Sequence, residues 1–199
     1  MNRKDFIKSA VAIAGAAAVT PFASASVSQS QPKKKVTLKK SLGLGMIKEE
    51  LSLADKFKLV KELGFDGVEL NSPVDFNLSE ILNAKSKSGI ELPTVVNKDH
   101  WSSPLSDPDP AVRKKCIDSV AKSLLEVKEM GGYTVLVVPG VVNEKTSYEQ
   151  AYITSQQAIR ELIPYAEKTG MQIALENVWN NFLISPVEAK RFIDEINHP

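Results

Sequence analysis

Two glutamates stand where an alternating α/β chain would do chemistry. Glu176 closes the stretch Gln172-Ile173-Ala174-Leu175, and the two-residue period of a strand puts Gln172, Ala174 and Glu176 on one face, with Ile173 and Leu175 on the other. A carboxylate so placed can exchange a proton with a bound molecule, or coordinate a hard or borderline cation through oxygen. Held by neighbouring amides, it would be a structural carboxylate. Glu69, in Gly67-Val68-Glu69-Leu70, points inward if Val68 and Leu70 face outward, and there contact with a small molecule competes with a buried network or salt bridge. His100 and Trp101 follow the third apolar run, as a hydrogen-bonding and stacking pair or as part of a solvated or packed loop. Asn177 and Trp179 come straight after Glu176; Trp179 serves equally well as a plug between loops.

Composition narrows the class. With 43% hydrophobic residues in 199, the chain can bury the core of one domain. Its 25 basic and 24 acidic residues nearly cancel, which gives no electrostatic footprint for nucleic acid. One cysteine, Cys116, rules out an internal disulfide and a cysteine-built zinc site; its helical setting suits a small core filler. Arg113 reads as a first-turn surface charge, and Lys33-Lys34-Lys35 as a solvated run.

The amino terminus has the order of an export signal. Arg3-Lys4-Asp5-Phe6-Ile7-Lys8 is basic, Ser9 to Val19 is small and apolar, and Ala23-Ser24-Ala25 supplies small residues for cleavage after Ala25. The apolar run is shorter than a membrane span. The start resembles a twin-arginine signal with lysine for the second arginine, so residues 1–25 are expected to direct the protein to the periplasm. Removing them moves the net charge from +1 to about −1. Residues 26–35, rich in Ser, Gln and Lys, read as a flexible leader.

From residue 36 the chain repeats strand, loop, capped helix and glycine. The strands read as Val36–Ile47, Gly67–Leu70, Ile90–Val96, Thr134–Val138 and Ile173–Glu176. The helices read as Leu53–Leu63, Leu78–Ser88, Pro110–Met130, Tyr148–Thr169 and Pro186–Ile196. Ser185-Pro186-Val187-Glu188 has the form of a capping box, Thr146 with Glu149 and Asn77 with Glu80 have similar logic, and Asp109-Pro110 is a cap and first-turn pair. Gly64, Gly89, Gly131 and Gly170 follow helices where a left-handed residue is wanted. Such alternation implies a parallel sheet with right-handed crossovers. Gly43-Leu44-Gly45 lacks the third glycine of a phosphate-binding loop, whereas polar residues gather at the carboxyl ends of strands, as in an eight-unit barrel. The units average about 33 residues, near the roughly 31 of an eight-unit barrel of about 250 residues. The expected fold is therefore α/β, a (β/α)8 TIM barrel with about its first five units in residues 36–199, and about three more, or roughly 90 residues, to follow.

Gly67-Val68-Glu69-Leu70, Val138-Pro139-Gly140-Val141-Val142 and above all Ala174-Leu175-Glu176-Asn177-Val178-Trp179-Asn180 resemble the sugar phosphate isomerase/epimerase family of xylose-isomerase-like barrels, from about residue 38 onward. The resemblance implies a metal-dependent sugar isomerase or epimerase that moves a proton next to a carbonyl through an enediolate. It makes Glu176 the acid/base and a ligand of a divalent ion (Mn, Mg, Co or Zn), and places the aspartate, histidine and second glutamate of the metal site beyond Pro199. Glu69, His100, Trp101, Asn177 and Trp179 are then substrate-binding candidates for a small sugar.

Two other readings stand beside it. A sugar-binding barrel without catalysis, or an inactive fragment, would carry the same residues, and residues 1–199 alone are expected to be inactive, since Glu176 is then the only ligand of the metal site present. A metal-dependent nuclease of the apurinic-endonuclease type shares the barrel but needs several histidine ligands and a cationic groove; this chain has two histidines and no basic excess. A homo-oligomer is compatible with the sequence, while nucleic acid and a stable membrane span after cleavage are not expected. Export favours a free or glycan-derived sugar over a phosphorylated one.

Overall fold

Alternating strand and helix segments close onto one another in chain order. The computed structural model describes residues 37–198, so the signal-like residues 1–25 and the leader 26–35 lie outside the described residues. β1 (Ser41–Gly43), β2 (Gly67–Ser72), β3 (Thr94–Asn97), β4 (Thr134–Val137) and β5 (Gln172–Leu175) form one sheet in the order β1-β2-β3-β4-β5. Every pairing is parallel. A helix follows each strand: α1 (Leu53–Glu62), α2 (Leu78–Ser88), α3 (Pro110–Glu129), α4 (Tyr148–Thr169) and α5 (Pro186–Ile196). This is the successive strand–helix pattern of a barrel wall, with β1 and β5 at its edges.

Register divides the strands into two sets of side chains. Leu70, Val95, Val135 and Ile173 are level neighbours on one face, and Asn71, Val96, Leu136 and Ala174 on the other. In β2 the residues Val68, Leu70 and Ser72 are buried while Glu69 is half-buried and Asn71 exposed. The buried set packs under the helices with Phe57, Ile81, Leu124 and Leu162, which make the main core. Burying each such side chain is worth about 1.5–3 kcal/mol, which is what fixes the phase of every strand. At the β5 edge, Ile173 and Leu175 join Ile159, Ile163, Ile193 and Ile196 around a cleft of about 500 Å³. Among the described residues, no helix is long and apolar enough to cross a membrane.

Local signals account for the element boundaries, with some corrections. Ser185 and Glu188 form the expected reciprocal capping box, and the Asp109 side chain accepts from Ala111 N ahead of Pro110. The α4 box is made by Ser147 and Gln150, one residue beyond the expected Thr146 and Glu149, because Thr146 is tied by its backbone to Asn143. Asn77 caps α2 by accepting from Ser79 N. Gly89 and Gly170 end their helices at φ 64 and 73, in the left-handed region. The first strand is three residues and not Val36–Ile47: a single 3-10 turn takes Leu44–Met46. Pro93 delays β3 to Thr94, since proline has no N–H for the ladder, although Glu91 still bridges to Gly67. Smaller shifts at the other ends leave Glu176 just past β5.

Candidate active site

The site is a set of loops at the carboxyl ends of β3, β4 and β5, with Glu69 lower on β2. Glu176 follows Leu175, and its N–H still bonds Val137 O at 3.0 Å, so the ladder holds its backbone while the side chain is exposed. Glu69 occupies the same open side as the sequence alternation requires. Burial first, and then the charge of Glu176, hold the Glu69 carboxyl above the ordinary range. The Glu69 carboxyl has no hydrogen-bond or ion-pair partner among the described residues to offset that shift.

Of the readings open at His100, the solvated loop does not hold: His100 is 4% exposed, and its Nδ1 accepts from the backbone N–H of Val138 at 3.4 Å. Trp101 meets it edge-on at 5.4 Å and is itself half exposed. Burial lowers the His100 pKa to about 4, against the opposing pull of Asp99, so the ring is neutral at physiological pH. Asn177 is exposed, and Trp179 is 99% exposed, which excludes the plug between loops as its role in this structure. The structure sets His100 beside Trp101; it places Glu69 in a cleft with Lys40, Asp66, Glu91 and Thr94, and records no direct contact of Glu69 with Glu176 or of either with the His100 pair.

The supports of the site were not singled out by sequence patterns. Asn180 is buried; its Nδ2 donates to Gly140 O at 2.5 Å and its Oδ1 accepts from Phe182 N at 3.2 Å. Ser106 bridges to the same loop by accepting from Val141 N at 2.9 Å. Under His100, Asn97 Nδ2 donates to Ser119 Oγ at 2.8 Å and Ser119 Oγ donates to Asp99 Oδ2 at 2.5 Å. Arg113, read as a surface charge, donates to Asp107 O at 2.6 Å and Pro108 O at 3.0 Å. The density of Asn, Ser and Asp in these three loops is the sequence signal that could have flagged them.

No group of three or more His, Cys, Asp or Glu among the described residues is arranged to hold a metal ion. Glu176 contributes one carboxylate and His100 spends Nδ1 on Val138, so these residues alone do not fit a divalent metal centre.

Residues 57–199 match the xylose isomerase-like TIM barrel family. An L-ribulose-5-phosphate 3-epimerase of Salmonella heidelberg is 21% identical over 177 residues, covering 81% of this chain and 62% of that protein. Among solved structures, a 3-keto-D-glucoside 4-epimerase from E. coli in its apo form superposes with a TM-score of 0.70 at 20% identity, over 81% of this chain and 65% of its own. A D-psicose 3-epimerase from Clostridium cellulolyticum H10, solved with D-tagatose, gives 0.69 at 22% identity, over 81% and 61%. The chain therefore spans less than two thirds of these relatives, and the structural likeness is one of fold. With most of its length matched, the chain belongs to the xylose isomerase-like TIM barrel family.

Proposed function

We propose that the protein works as a sugar epimerase or aldose–ketose isomerase. The Glu176 carboxylate takes the proton from the carbon next to the substrate carbonyl, and the bonding pair moves into an enediolate. For the epimer, a second acid or solvent on the opposite face supplies the new proton and Glu176 releases the first one to solvent; for the isomer, Glu176 returns its proton to the neighbouring carbon; no oxidant is needed. The observation that carries this reading is the placement of Glu176 at the carboxyl end of β5, where its N–H bonds Val137 O at 3.0 Å. The epimerase relatives agree with it. Glu69, His100, Trp101, Asn177 and Trp179 are the residues proposed to meet the sugar. A divalent ion (Mn, Mg, Co or Zn) would stabilise enediolate charge when bound, and Glu176 would hold it only with donors that the described residues do not supply.

The test is exchange of the carbon-bound hydrogen. D-psicose and D-tagatose are incubated with the protein in D₂O, with and without added divalent metal, and deuterium next to the carbonyl is followed by NMR. Catalysed exchange is expected when the donors that complete the site are present, and Glu176→Gln should then abolish it with an unchanged melting temperature. Undiminished exchange in that variant removes Glu176 from the reaction. Saturable sugar binding without exchange would make the protein a sugar-binding barrel instead.

Export is part of the same proposal. The basic, apolar and Ala-x-Ala order of residues 1–25 supports a mature protein beginning at Ser26 in the periplasm. N-terminal sequencing of native protein that begins at Met1 or Asn2 would refute it.

A further inference from the structure

We propose that His100 is a fixed, neutral Nε2–H donor to a carbonyl or hydroxyl oxygen of the substrate, and not a group that carries protons. The proposal rests on the sugar-site reading above and assigns this corner a chemistry. The backbone N–H of Val138 points at Nδ1, 3.4 Å away, and a nitrogen that accepts a hydrogen bond cannot hold a proton. The one ring proton must then sit on Nε2. Among the described residues Nε2 has no partner, yet none of their buried side-chain nitrogens or oxygens lacks a hydrogen bond. Nε2 therefore meets solvent, although His100 as a whole is only 4% exposed. What remains open on this ring is the donor.

The surroundings keep it that way. Trp101 packs edge-on against the imidazole at 5.4 Å. Asp99 is the one charged group that pulls toward protonation, and its carboxylate is engaged by Ser119 Oγ. Burial outweighs Asp99 and keeps the imidazole neutral. A pre-aimed neutral donor suits an oxygen on which charge develops during enediolate formation, because no reorganisation is needed at the moment of reaction. It offers nothing special to a substrate phosphate, which is matched by cationic groups.

Two variants separate this role from a structural one. Asn at position 100 places its amide near Nδ1 and can still accept from Val138; Gln reaches the Nε2 position and can still donate outward. Donation to the substrate predicts that His100→Gln keeps sugar affinity within about threefold while His100→Asn loses about tenfold, the worth of one hydrogen bond. A purely structural imidazole predicts the reverse order, and that order, or equal losses, overturns the proposal. The wild-type chain supplies a second measurement that does not depend on variants folding. With ¹⁵N-histidine, and His198→Gln to assign the two rings, long-range ¹H–¹⁵N spectra should show the neutral Nε2–H tautomer of His100 between pH 5.5 and 8, and its signal should move when D-psicose is added. An imidazolium or an Nδ1–H tautomer in that range overturns the proposal. An unmoved Nε2 signal while the sugar exchanges deuterium overturns the donor role and spares the epimerase reading. A moved signal without exchange supports the donor and sinks turnover.

Discussion

The side-chain amide of Asn180 donates to the carbonyl of Gly140 at 2.5 Å across forty residues of chain. The bond ties the loop after β5, which carries Glu176, to the loop after β4. Asn180 also accepts from Phe182 N, and its own carbonyl accepts from Val142 N at 2.9 Å. Gly140 leaves room for this seam: a Cβ there would lie 3.1 Å from Ser106 Cβ and 3.2 Å from the Phe182 ring.

Asn180→Ala should destabilise the protein by about 1–3 kcal/mol, the cost of leaving a buried partner unsatisfied. Urea unfolding followed by circular dichroism measures it. Asn180→Asp should fare no better, because a carboxylate oxygen faces the Gly140 carbonyl where the amide donated. A change below about 0.5 kcal/mol in both variants would show that this seam does not hold the loops.

Glu69 gives a pH dependence with a definite sign. Its folded pKa lies above the ordinary value of 4.5, so between the two values the native state binds more protons than the unfolded chain. The stability linked to Glu69 is fully present below about 4.5 and is lost as pH rises through the folded pKa. Glu69→Gln should therefore melt higher than the wild type at pH 7.5, with a difference that shrinks toward pH 4.5. Repulsion from Glu176 is part of the cause, so the gain should be smaller in a Glu176→Gln background. A Glu69→Gln protein that melts lower at pH 7.5 would point instead to a stabilising partner.

The fold was legible because each unit carries its own punctuation. Caps at Asn77, Asp109 and Ser185, and glycines after the helices, bracket apolar stripes whose period settles helix against strand. β1 was not, because the run from Val36 to Ile47 mixes apolar residues with Lys39, Lys40 and Ser41 without a sharp stop, and only register shows that Ser41–Gly43 alone pairs with β2. In the site, the positions of Glu69 and Glu176 followed from two-residue alternation. The burial of His100 did not, since its partner is a backbone N–H thirty-eight residues away. Trp179 and Asn180 exchange the roles that residue type alone suggests: the indole is bare and the amide is buried. A polar side chain fits the interior when the backbone groups of two loops arrive to satisfy it, and no local pattern announces that.

Cys116 should be inert in the native state. It is buried, and desolvation followed by the charge of Asp99 pushes its thiol up to about 12, so almost no thiolate exists at pH 8. A chromogenic thiol reagent should react slowly without denaturant and rapidly in urea. As the sole cysteine, it makes the reaction a one-signal probe of the opening of α3 from the sheet. Rapid labelling without denaturant would mean that α3 is far looser than its packing implies.

Phe182 should be the most sensitive position of the β5 loop. It is fully buried, with ring centres at 5.3 Å from Tyr148, 5.6 Å from Phe192 and 6.3 Å from Tyr152, so it joins the loop to both α4 and α5. Phe182→Ala should cost about 3–5 kcal/mol by removing these contacts and leaving a cavity. Phe182→Leu keeps much of the volume and should cost less. Because Phe182 N bonds Asn180 Oδ1, the cavity and the broken seam lie in one network. The double variant Asn180→Ala with Phe182→Leu should then depart from additivity by about 0.5–3 kcal/mol. Phe57, buried on α1 at the β1–β2 end of the sheet, is the control: Phe57→Leu with Asn180→Ala should add within about 0.5 kcal/mol. Urea unfolding of the single and double variants gives both cycles. Additivity in the Phe182 cycle would mean that the aromatic cluster and the amide seam hold the loop independently, and that neither transmits strain to Glu176 through the other.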